Sequence, residues 1–163
     1  MRTISLWQPW ASAIALGAKR VETRSWATNY RGPLAIHAAK RFMVNEMIHY
    51  ASCWNWKGAL RGSLFDKHTG RTDWENFLPL GCVVATCELV ECRPTGSFTL
   101  QEIEEKRRPL LETSDIYDWT ERQMGDFGLG RFGWVLKNIK PLPHPVPWKG
   151  SQGFFEVPDD LLT

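Results

Sequence analysis

The chain has no apolar run near the roughly 20 residues that a membrane-spanning helix needs. It also lacks any C-x-x-C pair among its four cysteines and any zinc-ligand spacing among its four histidines. The first absence excludes a helical membrane protein. The others argue against a bound metal, so neither metal nor cofactor is expected. Cys82, Cys87 and Cys92 fall in one strand-like apolar run, where free thiols behave as small hydrophobes; Cys53 is read likewise. His37, His49, His68 and His144 are scattered. Residues 1–16 hold a single Arg, and Gln8, Pro9 and Ser12 interrupt their apolar stretch. They do not read as a secretion signal, so the expected compartment is the cytoplasm. A strong charge of one sign is missing too: 20 basic against 18 acidic residues give +2, which excludes a histone-like polycation.

What is present is unevenly placed. Residues 1–40 carry six basic side chains (Arg2, Lys19, Arg20, Arg24, Arg31, Lys40) against Glu22 alone, or +5. The remainder holds fourteen basic and seventeen acidic residues, or −3. A basic segment in a near-neutral protein is the footprint of a local anion site. The nine tryptophans can pack a core, and they can also stack on bases. With 163 residues, one domain over 1–163 accounts for the length.

Local patterns give the expected elements. Thr3 to Leu6 reads as a strand and Trp10 to Leu16 as a small-residue helix, opened by Pro9 and closed by Gly17. Arg20 to Arg24 alternates, with Val21 and Thr23 on one face and Arg20, Glu22 and Arg24 on the other. Leu34 to Ala38 is a strand on which His37 points away from Leu34 and Ile36. A helix is expected over Arg41 to Trp54, and a long loop or insertion over 55–79. Gly81 to Cys92 is the strongest strand signal. Thr99 and Glu102 form a capping box for a helix through Arg107. Residues 115–130 read as irregular, Phe132 to Ile139 as a strand, Pro141 to Pro147 as a proline-rich loop, and Gly153 to Val157 as a last strand. Strands separated by single helices, followed by antiparallel ones, predict an α+β fold: a mixed β-barrel with peripheral helices.

Three constellations offer chemistry. Trp7-Gln8-Pro9-Trp10 lies between a strand and a helix, with an amide between two flat faces. The indoles read equally as core plugs and Gln8 as a turn residue. In Gly17-x-Lys19-x-x-Glu22-x-Arg24, the i, i+2 spacing puts a carboxylate beside a guanidinium, with Lys19 in the preceding turn. The three could bind a phosphate and orient a base edge, or form a surface salt bridge. His37 and Lys40 follow on the next strand. Near the end, Lys149, Ser151 and Gln152 lie among glycines, where free backbone N–H groups can cradle an anion.

These residues carry a resemblance. Ile4 to Ala11, the G-x-K-x-x-E-x-R stretch, Arg24-Ser25-Trp26, Arg31 to Leu34, Gly81 to Leu89 and Lys149 to Gly153 are together similar to the ASCH superfamily. The single-domain format resembles stand-alone bacterial, prophage or phage members. The resemblance implies a PUA-like barrel with a cleft between the first helix and the barrel, lined by Lys19, Glu22 and Arg24. It also implies a role in RNA or DNA transactions. Some members resemble enzymes, among them amidohydrolases of N4-acetylcytidine with the pattern G-x-K-x-x-T-x-R, and others are associated with ribonuclease activity. This chain has Glu22 where that Thr stands.

The leading expectation is a binding module for single-stranded RNA or a modified nucleotide, with Trp7, Gln8, Pro9, Trp10, Lys19, Glu22, Arg24, His37, Lys40, Lys149, Ser151 and Gln152 in contact with the ligand. A second reading is a hydrolase of RNA or a modified nucleoside, with Lys19 and Glu22 as catalytic candidates and His37 and Ser151 as further acid, base or nucleophile. A third is a protein-interaction module using the Trp-rich 54–77 segment and the proline loop. Whether the chain is an enzyme stays open at this point.

Overall fold

The computed structural model describes residues 1–41, 78–105 and 120–162. The helix expected from Arg41 to Trp54, nearly all of the 55–79 insertion, Cys53, His49 and His68 lie outside the described residues. Within them the chain runs β1 (Arg2–Leu6), α1 (Trp10–Ala15), β2 (Val21–Arg24), β3 (Gly32–Ala38), β4 (Cys82–Pro94), α2 (Leu100–Glu104), α3 (Glu121–Met124), β5 (Phe132–Pro147) and β6 (Phe154–Glu156). The six strands form one sheet in the order β2-β5-β4-β3-β1-β6. Only β1 and β3 pair in parallel; every other neighbour is antiparallel. Among the described residues no helix is long and apolar enough to cross a membrane.

The fold is α+β, a mixed sheet curled into a half-barrel with a few helices. β3 explains how two faces are buried. Leu34, Ile36 and Ala38 join Ile4, Leu6, Leu89, Trp134 and Leu136 under α1. Ala35 joins Val83, Leu142, Val157 and Leu162 on the other face. A strand covered on both sides reads as a near-continuous apolar run, and Leu34-Ala35-Ile36 does so. The curl brings the two edges of the sheet together through aromatic rings. Trp26, just after β2, meets Trp134 edge-on at 4.6 Å and Phe154 of β6 at 5.5 Å.

Helix α1 ends where expected, with Gly17 at φ 70°, a left-handed cap that glycine adopts without steric cost. The Thr99–Glu102 capping box is present, although α2 stops at Glu104. Two expectations are corrected. The irregular 115–130 stretch contains α3, begun by Thr120, whose N–H is accepted by Gln123 Oε1 at 3.1 Å. The proline-rich stretch 141–147 is no loop but the second half of β5, paired with β4 as far as Pro147. Its prolines occupy every second position, Pro141, Pro143, Pro145 and Pro147. They lie beyond Val135, where β2 no longer pairs with β5 and one edge of the strand has no neighbour that needs an N–H.

The chain returns from β5 to β6 over Trp148–Gly153, and Gly150 lets it pass close to the sheet. A Cβ at Gly150 would lie 2.5 Å from His37 Cε1 and 2.7 Å from Ser5 Oγ. Since the His37 ring is hydrogen-bonded at both nitrogens, it has no room to retreat. Gly150→Ala is therefore expected to cost about 1–3 kcal/mol, read as a lower midpoint in urea unfolding.

Candidate functional site

β2 is an edge strand: β5 pairs with one side of it, and among the described residues no strand pairs with the other. Its outward backbone groups are taken by side chains instead. Glu121, on the first turn of α3, accepts from Arg20 N at 2.6 Å and Val21 N at 3.0 Å. Lys19 Nζ donates to Val21 O at 2.6 Å and to Met124 O, at the end of α3, at 2.8 Å. Arg131 donates to Thr23 O at 3.2 Å. Unpaired strand edges in proteins are commonly covered, and here the cover is ionic.

Two of these side chains, Lys19 and Arg131, also wall a cleft of about 1090 Å³ between β2, the start of α1 and the 151–153 turn. Glu22 lies on its wall with one cation at each oxygen, Lys19 Nζ 3.5 Å from Oε2 and Arg24 Nε 3.1 Å from Oε1. Arg24 is tied to β1 by a 2.8 Å bond to Ser5 O. Lys19 is 1% exposed, and three acceptors (Val21 O, Met124 O and Glu22) surround its three N–H donors. It orients the site and has no donor left for a phosphate, unlike Arg24.

The structure brings together Trp7, Trp10, Lys19, Glu22, Arg24, Ser151 and Gln152 around the cleft. It keeps apart Gln8, Pro9, His37, Lys40 and Lys149, none of which lines it. Gln8 is buried; its Oε1 accepts from Ser12 N at 3.1 Å, and its Nε2 donates to Pro79 O at 2.8 Å. It anchors the start of α1. Lys40 is exposed and packs its Cβ near Gly81. Lys149 is exposed beside the turn. His37 does point away from Leu34 and Ile36, but that face is also covered. Its Nδ1 lies 3.0 Å from Ser5 Oγ, its Nε2 3.0 Å from Trp148 O, and its ring stands edge-on to Phe155. Burial pushes its pKa below the usual 6.5, against the smaller opposing effect of the Trp148 carbonyl.

Sequence reasoning assigned no role to Trp26, Thr23, Asp126 or Arg131, which also line the cleft. Trp26 and Thr23 sit in or beside the quoted motifs. Asp126 and Arg131 carry no local signal: more than a hundred residues from β2, they arrive only because α3 docks there. Asp126 N donates to Thr23 Oγ1 at 3.0 Å, and Asp126 Oδ2 lies 3.2 Å from Arg131 Nε. Among the described residues, no group of three or more His, Cys, Asp or Glu side chains is arranged to hold a metal. Cys82 and Cys87 are buried thiols, and burial raises the Cys87 pKa to about 12.

Two outcomes test this arrangement. Glu121→Gln replaces one acceptor with a donor facing a backbone N–H, and is expected to cost about 1–3 kcal/mol of stability, seen in chemical denaturation. His37, neutral in the fold, binds its proton more readily when unfolded. Stability should therefore fall as pH drops below 6.5 toward the depressed folded value. Denaturation midpoints measured across that range should decline less in His37→Gln.

Comparisons with known proteins bear on the family and the fold. The sequence profile of the ASCH domain matches residues 4–142. The chain is 34% identical over 155 residues to activating signal cointegrator 1 of Mus musculus, covering 94% of this chain and 22% of that protein. To the Homo sapiens protein of the same name it is 34% identical over 99 residues, covering 60% and 15% respectively. It thus spans about a fifth or less of the length of these relatives. The crystal structure of ASCH from Zymomonas mobilis superposes with a TM-score of 0.51 at 16% identity, covering 98% of this chain and 89% of that one. A point mutant of the same protein gives 0.51 at 15%, with 98% and 91% covered.

Proposed function

The chain belongs to the ASCH domain family, and from that premise we propose that its cleft binds single-stranded RNA or a nucleotide-like fragment of it. One observation carries the reading: indole faces and guanidinium groups share one cavity. Trp7, Trp10 and Trp26 line it together with Arg24 and Arg131. Trp7 is 43% exposed, a large apolar ring left in water at the mouth. Aromatic platforms beside cations are the means by which proteins hold unstacked bases and their phosphates. Binding ranks above hydrolysis because the proposed catalytic lysine is already committed to two carbonyls, and His37 is held outside the cleft by Ser5 and Trp148.

Fluorescence anisotropy with short labelled RNA and DNA strands tests the reading. Affinity should fall steeply with salt. Arg24→Ala and Arg131→Ala should each weaken binding across all sequences and lower the salt slope by about one. Trp7→Ala should cost about 1–3 kcal/mol of binding. Folded Arg24→Ala and Arg131→Ala proteins that bind as well as wild type would place the ligand elsewhere.

A further inference from the structure

We infer that the cleft reads a guanine base through the Glu22 carboxylate; the inference rests on the binding reading above. A carboxylate accepts and does not donate, with about four lone-pair positions on its two oxygens. Lys19 and Arg24 each engage one oxygen of Glu22 from the side, at 3.5 and 3.1 Å. Accepting capacity remains on both oxygens, and the residue forms part of the cleft wall. Next to it, Arg24 has Nε 3.1 Å from Glu22 Oε1 and donates from one terminal nitrogen to Ser5 O. The wall therefore offers the Glu22 carboxylate as a pair of acceptors, with the Arg24 guanidinium beside it.

Guanine is the common base whose Watson–Crick edge is complementary to a carboxylate: N2–H and N1–H donate side by side. Cytosine and adenine set an acceptor next to their amino group, and uracil sets acceptors on both sides of a single N–H. Each would turn a lone pair toward the Glu22 carboxylate and leave a desolvated acceptor unpaired, which is costly. The carboxylate is also held still. Lys19 is anchored to Val21 O and Met124 O, and Arg24 to Ser5 O, so recognition needs no reordering of the protein groups. Trp7, Trp10 and Trp26 line the same cleft, and aromatic rings are stacking partners for a base.

The test uses short oligouridines with one central position varied to guanosine, adenosine, cytidine or inosine, in both RNA and DNA, with free guanosine monophosphate as a separate arm. The guanosine strand should bind wild type about tenfold or more tightly than the adenosine, cytidine and all-uridine strands. Inosine, which keeps N1–H and O6 but lacks the N2 amino group, should lose part of that preference. Glu22→Gln, checked for folding by circular dichroism, should bind all strands alike. If that variant does not fold, the inosine strand on wild type decides the same point. Guanosine monophosphate binding alone would identify a nucleotide site and retain the base assignment. Strands that bind tightly but without base preference, or a preference surviving in Glu22→Gln, would overturn the guanine inference and leave the cleft as a general binder. No binding by any strand or by the nucleotide would overturn both readings.

Discussion

A strand at the edge of a sheet has a row of backbone polar groups with nothing to pair with, and much of this molecule is arranged around that row on β2. Glu121 accepts from the N–H groups of Arg20 and Val21. Lys19 and Arg131 donate to the carbonyls of Val21 and Thr23. Because Lys19 also binds Met124 O, the ammonium and the Glu121 carboxylate pin both ends of α3 to the edge. Burying an ammonium is costly unless its protons find oxygen. Lys19 finds three acceptors, and the third is Glu22. Satisfying an edge and orienting a functional carboxylate are thus one interaction.

The cleft follows from the same geometry. The sheet curls far enough for Trp26 near one edge to touch Phe154 on the other, yet β2 and β6 never pair. A closed barrel would leave no concavity at this seam. Here the seam is bridged by rings at one level and is open at another, where Glu22, Arg24, Arg131 and Trp7 line the space. Lys19 and Arg131, which protect the edge, therefore also line the cleft. The long β4–β5 ribbon, with register shifts at three places, gives the sheet its bend.

Much of the frame was legible from local pattern: a β-branched apolar run for β4, alternating apolar positions for β3, a glycine stop after α1, a capping box for α2. The family signature also named Lys19, Glu22 and Arg24 together, and they do converge on one cleft. Roles were less legible than membership. Gln8 and His37 are polar residues in promising places, but their partners, Pro79 O and Trp148 O, lie 71 and 111 residues away. Nothing nearby in the sequence tells a ligand contact from a satisfied anchor. The prolines of 141–147 read as a loop because the uncovered edge that accommodates them depends on where β2 stops.

The sequence by itself determined the α+β class, the start and end of most described elements, and the charge and aromatic content of the first forty residues, since these rest on periodicity, capping and composition. Tertiary structure alone decided which of those polar groups are spent internally. Lys19 appeared as a cation available to a phosphate and became a buried strut, because a segment a hundred residues downstream supplies its acceptor. Arg131 carried no signal and became part of the cleft for the same reason. A side chain's chemistry is local, but the number of its donors and acceptors left over for a ligand depends on what the fold brings against it.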